Sequence, residues 1–207
     1  MKNALLFFSS LLSLLNGCYG EDQSDLKKYT MNSKTADKNE TKVAILGGGC
    51  FWCTEAVFEN LSGIHEVLSG YAGGEIVNPT YQQICTGKTG HAEVIKILYD
   101  PKVTSYSKIL DLFGACHDPT TLNRQGADVG TQYRSTIMYL NEEQKTIALN
   151  WKSSLNDRLV DPVVTEIVSA PVFYEAEEYH QDFYVKNPNQ GYCSYVIRPK
   201  LKKLNLE

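Results

Sequence analysis

At 207 residues, with 43% apolar and 21% charged residues, the chain has the size and balance of one globular domain with a modest appendage. It is not a wholly disordered chain, a collagen-like fibre or a polytopic membrane protein. A net charge of −4, from 20 Lys and Arg against 24 Asp and Glu, argues against a basic nucleic-acid footprint, so no nucleic acid is expected among its partners. Six cysteines, Cys18, Cys50, Cys53, Cys85, Cys116 and Cys193, are too few to build a fold from disulfides at this length.

Residues 1–17 read as a targeting segment. Lys2 is a small positive start, and Ala4 to Leu15 is an apolar run broken only by Ser9, Ser10 and Ser13. That run is too short to span a bilayer, which takes about 20 apolar residues. It ends in Leu15-Asn16-Gly17-Cys18, which resembles the lipobox of bacterial lipoproteins. The resemblance implies lipidation at Cys18, a membrane anchor and export to the cell envelope. A plain signal peptide or an uncleaved anchor is the alternative. Residues 18–41 are polar, mixed in charge and without apolar periodicity, and read as a flexible tether. A coil of that length reaches roughly 25–30 Å.

The domain expected over residues 42–207 alternates strands and helices. Lys42 to Leu46 is a short apolar strand, stopped by Gly47-Gly48-Gly49. Phe51 to Leu61 carries a helical apolar face that ends at Gly63. Strands follow at Ile64–Tyr71 and Glu93–Tyr99. Thr104 or Ser105 can cap a helix running to Ala115. Then come a strand over Gln132–Leu140, a long helix capped by Asn141 and running to about Asp157, a strand at Val163–Val168 and a short helix at Glu175–Tyr184. The order predicts an α/β two-layer domain (an α+β sandwich) on a ferredoxin-like βαββαβ core. Residues 72–91 and 114–131 are expected as long functional loops, and the tail after Pro188 as irregular surface chain.

The most informative local feature is Gly47-Gly48-Gly49-Cys50-Phe51-Trp52-Cys53. Glycines let the chain turn tightly out of the strand, leaving Cys50 at the first turn of a helix. Unpaired N–H groups and the helix dipole there favour an anion, and the thiolate is the reactive form of cysteine. A buried structural cysteine is the alternative. Cys50 and Cys53 also form a C-x-x-C, which suggests a thioredoxin-like redox pair or half a zinc site. The adjacent Cys116-His117 does not have the spacing of a second zinc knuckle.

Gly49-Cys50-Phe51-Trp52 resembles the active-site motif of the A-type peptide methionine sulfoxide reductases. Pro79-Thr80-Tyr81, Thr89 to Val94, His117 to Gly126, Asp128 to Ser135, His180-Gln181 and Gly191-Tyr192-Cys193 agree with that family in order and spacing. The resemblance implies reduction of methionine-S-sulfoxide, in proteins or free, with Cys50 attacking sulfur and becoming a sulfenic acid. It implies Glu93 as the acid for the departing oxygen, Tyr81 and Tyr133 as hydrogen-bond donors to it, and Asp128 as an ordering group. Phe51 and Trp52 would wall a pocket for the methyl group. Cys193 would resolve Cys50 through an intramolecular disulfide, recycled by a thioredoxin-like dithiol protein. No metal or organic cofactor is implied, and a monomer is expected. Cys53 stands where the family more often has glycine; it could resolve Cys50, relay the bond to Cys193, or do neither. Phe183 stands where tyrosine is common. Cys85 and Cys116 match no catalytic position and are expected as small core residues.

Overall fold

The computed structural model describes residues 41–206. The signal-like segment, Cys18 and all of the tether but Thr41 lie outside the described residues. The elements in chain order are β1 (Lys42–Gly48), α1 (Phe51–Phe58), β2 (Ile64–Ala72), α2 (Tyr81–Cys85), β3 (Ala92–Tyr99) and α3 (Tyr106–Cys116). A two-residue-per-strand ribbon, β4 (Arg124–Gln125) and β5 (Asp128–Val129), precedes β6 (Ser135–Tyr139) and α4 (Glu142–Asn156). Then follow β7 (Glu166–Ser169), β8 (Phe173–Glu175), α5 (Phe183–Lys186) and α6 (Arg198–Lys203).

Six strands form one sheet in the order β7-β6-β1-β3-β2-β8. Within it β6-β1-β3-β2 is antiparallel throughout, with Leu46 opposite both Ile95 and Ile137 and Tyr71 opposite Glu93. This is the split βαβ order expected from the sequence. β8 adds antiparallel to β2, and β7 adds parallel to β6. Alternation along each strand sends residues to opposite faces. Ala44, Leu46, Ile95, Ile97 and Ile137 join the main core with α1, α3 and α4, while Ile45, Val94 and Met138 form a smaller cluster with Ala72 and Ala92.

The caps fall where local chemistry puts them. Ser105 Oγ accepts the Lys108 N–H and starts α3, and Asn141 Oδ1 accepts the Gln144 N–H and starts α4. Inside the expected 72–91 loop, Thr80 and Gln83 form a reciprocal capping box that starts α2.

Four expectations are corrected. The strand expected from Gln132 begins at Ser135, because Thr131–Tyr133 take a 3-10 turn, and the last expected strand lies at Glu166–Ser169. The helix expected at Glu175–Tyr184 does not form. Its start pairs with β2 as β8, and Asp182 takes a left-handed backbone (φ 52°) that no continuous helix admits. The tail is not irregular. Cys193–Ile197 form a π-helical turn leading into α6, and Cys193, Ile197 and Leu201, four residues apart, are buried in the main core. Pro199 lacks the N–H that a regular α-helix would bond back to Tyr195, which suits the wider turn before it.

Candidate active site

The site is assembled where β1 turns into α1. Gly49 has φ +96°, and a Cβ there would meet the Gln125 side chain at 2.6 Å, so the turn requires glycine on both counts. Cys50 is the residue preceding the first helical turn, and only 8% of it is exposed.

The helix N-terminus is occupied by a carboxyl group and not by the thiol. Phe51 N–H donates to Glu93 Oε2 at 3.1 Å. Glu93 is 1% exposed, and burial pushes its pKa up to about 8, against the pull of that hydrogen bond. It therefore holds its proton at neutral pH. The expectation of an acidified Cys50 is corrected by the same burial. Desolvation holds the Cys50 thiol well above its usual range, and the neighbouring thiol of Cys53 and the Glu93 charge add to the effect. Cys53 is drawn the other way, chiefly by its hydrogen bond with Cys50.

Tyr81 opens α2, and Tyr133 ends the 3-10 turn before β6. Burial raises both phenols, and the Glu93 charge is the next cause for each, so both keep their protons as donors. The Tyr81 ring stacks against Phe51 (6.5 Å between centroids) and lies 4.4 Å from the His180 ring. Phe51 is buried, whereas Trp52 is half-buried, stacks on Phe183 at 3.7 Å and meets the Tyr192 ring edge-on at 5.8 Å. Phe183 thus serves by its ring face, which needs no hydroxyl.

A polar chain runs along the other side of the thiols. The Cys53 thiol donates to Tyr192 Oη (3.5 Å), and the Tyr192 hydroxyl donates to Asp128 Oδ2 (2.8 Å). These groups and Cys50 line a cavity of about 170 Å³. Cys193 follows Tyr192 and is fully buried in the same core cluster as Cys50 and Cys53. The five described cysteines are all free thiols. Cys116 is buried as expected, but Cys85 is exposed: it ends α2, whose one buried residue is Ile84. Among the described residues no three His, Cys, Asp or Glu side chains converge on a position for a metal ion.

Several further residues hold the site, Glu177 and Glu55 among them not singled out from the sequence. Glu177 accepts the Tyr81 N–H and the Tyr71 hydroxyl, both at 2.9 Å. His180 Nδ1 accepts the Trp52 indole N–H at 3.1 Å. Glu55, buried on α1, accepts the Phe183 N–H and the Ser69 hydroxyl. Gln181 bonds both the N–H and the carbonyl of Ser69. His180-Gln181 was visible as a motif, but no local periodicity marks Glu177 or Glu55 as site residues.

The family profile described as peptide methionine sulfoxide reductase matches residues 42–207. The protein named peptide methionine sulfoxide reductase MsrA from Acinetobacter baumannii strain AYE is 57% identical over 162 residues, covering 78% of this chain and 93% of its own length. Among solved structures, the reduced form of Mxr1 from Saccharomyces cerevisiae aligns with a TM-score of 0.72 at 35% identity, over 76% of this chain and 91% of that one. Mxr1 in complex with Trx2 aligns with a TM-score of 0.53 at 25% identity, over 73% and 91%. A profile matched across the whole described fold, and a relative this similar over nearly all of its length, leave one conclusion: the chain belongs to the peptide methionine sulfoxide reductase family of thiol oxidoreductases.

Proposed function

We propose that this protein reduces the S epimer of methionine sulfoxide, free or within oxidised proteins, using Cys50 as the nucleophile and Glu93 as the acid. The observation that carries this reading is the buried Glu93 carboxyl, protonated at neutral pH and held at the N-terminus of the helix that Cys50 begins. Cys50 attacks the sulfoxide sulfur as Glu93 protonates the oxygen. Tyr81 and Tyr133 donate to that oxygen as charge develops on it. The attack joins the Cys50 sulfur to the methionine sulfur; that bond and the sulfur–oxygen bond then break as the hydroxyl group passes to Cys50, so methionine is released as the reduced thioether and Cys50 is oxidised to a sulfenic acid. Phe51 and Trp52 wall the methyl group, and Asp128 orders the polar side through Tyr192.

Cys53 or Cys193 then displaces the oxygen as water and forms a disulfide with Cys50. The hydrogen-bonded proximity of Cys53 to Cys50 supports Cys53 as the first to act. A thioredoxin-like dithiol protein reopens the bond, a step supported by the similarity to the Mxr1–Trx2 complex.

The decisive assay follows turnover of the separate S and R epimers of a blocked methionine sulfoxide with dithiothreitol. Conversion of the S epimer alone, lost in Cys50→Ser, is the expected result. Conversion of neither epimer by folded protein overturns the reading. We further propose export through residues 1–17, lipid attachment at Cys18 and a tether over 18–41 carrying the reductase domain. The sequence Leu15-Asn16-Gly17-Cys18 supports this. Metabolic labelling with a fatty-acid probe should mark the wild type and not Cys18→Ser; equal labelling of both would refute the anchor.

A further inference from the structure

We propose that Lys200 is a positioning residue for disulfide exchange, holding Cys53 as the attacking thiolate toward oxidised Cys50 and as the leaving thiolate when an external dithiol reopens the bond. The proposal rests on the reading of Cys53 as the resolving thiol.

The geometry comes from the tail. The π-helical turn and α6 bring Lys200 to the wall of the cavity of about 170 Å³ that it shares with Cys50, Cys53, Asp128 and Tyr192. Lys200 is half-buried, and among the described residues no carboxylate forms an ion pair with it. Lys42, Lys145 and Lys186 are, by contrast, matched by acids on the surface. A second cavity, of about 390 Å³, shares Gln125 and Lys200 with the first, so Lys200 lies where the two meet. A cation with no carboxylate partner, beside a pair of thiols in a partly desolvated space, favours the thiolate.

The charges facing Cys53 do not all agree. Lys200 on α6 draws its thiol down, while Asp128 on β5 raises it and Glu93 on β3 faces it with a carboxyl that is neutral below about pH 8. The remaining titratable neighbours are Cys50, Tyr192, Cys193 and Cys116. Lys200 is the cation in this set.

The Cys53 thiolate attacks the Cys50 sulfenic sulfur, and a sulfur–sulfur bond forms as the sulfur–oxygen bond breaks. Oxygen leaves as hydroxide and takes a proton to become water. Cys50 is reduced and Cys53 oxidised. A thiolate of the external dithiol protein then attacks Cys50, and Cys53 departs as thiolate. Its second thiol releases Cys50 and takes the oxidation away as that protein's own disulfide.

The test uses the purified full-length protein, reduced, freed of reductant and mixed with one equivalent of blocked methionine-S-sulfoxide at pH values from 6 to 9. Free thiols are counted against time, disulfides are mapped by mass spectrometry, and sulfenic acid is trapped with dimedone. Moving the Cys53 thiol up by about one pH unit cuts the thiolate about tenfold below its midpoint, while its greater basicity returns a factor of about three. Lys200→Met should therefore close the Cys50–Cys53 bond about threefold more slowly at pH 6, below the Cys53 midpoint of about 7, accumulate trappable sulfenic acid and shift the pH midpoint of closure upward. Lys200→Arg should restore both rate and midpoint, and Lys200→Gln gives an independent charge removal should the methionine variant fold poorly. Closure at the wild-type rate and midpoint in both neutral variants overturns the role of Lys200 alone. A first disulfide that maps to Cys50–Cys193 in the wild type and forms equally fast in Cys53→Ser overturns the resolving role of Cys53, and this proposal with it.

Discussion

At the scale of single residues, burial outweighs helix position. An open helix N-terminus would favour a Cys50 thiolate, but Cys50 is enclosed and Glu93 has taken the first helical N–H. The result is a neutral acid beside a neutral nucleophile, a pair without mutual repulsion before substrate arrives. Glu93→Gln should lower kcat by about 10²–10⁴-fold, the usual contribution of a positioned acid. In the wild type the activity that depends on this acid should fall as pH rises through about 8; a pH–rate profile of the variant should lack that limb. The stability effect has a definite sign. A carboxyl raised from 4.5 to about 8 on folding binds more protons folded than unfolded between those values, so its contribution to stability declines as pH rises across that window. Glu93→Gln should therefore gain stability relative to the wild type at pH 9 compared with pH 6, as read by urea unfolding. Gly49→Ala forces a side chain into a left-handed backbone against Gln125 and should cost about 1–3 kcal/mol in the same assay.

At the scale of elements, the segment from Ala176 to Phe183 acts as a strap and does more than a connecting helix would. Gln181 and the Ala176 N–H fasten it to Ser69 on β2, and Glu55 fastens its far end to α1. From that fixed frame Glu177 holds the start of α2, while His180 and Phe183 hold Trp52. A β8 pairing followed by a left-handed Asp182 lets these side chains face three different elements, which one regular helix face would not. Glu177→Ala should leave the Tyr81 N–H and the buried Tyr71 hydroxyl without their acceptor, at about 1–3 kcal/mol each. Because Tyr81 is assigned to the developing charge, kcat should fall about tenfold with little change in KM, measured by steady-state kinetics on the S epimer.

At the scale of the whole molecule, the site closes across long stretches of chain. Phe51 meets Glu93 42 residues away, Tyr81 meets Glu177 across 96, and Cys53 meets Tyr192 across 139. The last of these depends on the tail docking as a helix, with Cys193, Ile197 and Leu201 in the core. Ile197→Ala should cost about 2–5 kcal/mol in urea unfolding. It should also loosen the Tyr192–Asp128 link and slow closure of the Cys50 disulfide, read by thiol counting after a single turnover.

The split βαβ order, the helix starts at Ser105 and Asn141 and the glycine turn before Cys50 could all be read from the sequence, because capping, periodicity and backbone freedom reside in a few adjacent residues. The motif blocks also marked Cys50, Glu93, Tyr81, Tyr133 and Asp128, which the fold brings near one another, although periodicity alone would not have separated those tyrosines from the other eleven of the thirteen. Other features were decided only by the folded chain: the protonation of Cys50 and Glu93, the strap in place of a helix, the exposure of Cys85 and the helical tail that brings Lys200 to the thiols. Each of these depends on desolvation or packing from partners far along the chain, and solvent exclusion exists only once those partners have met.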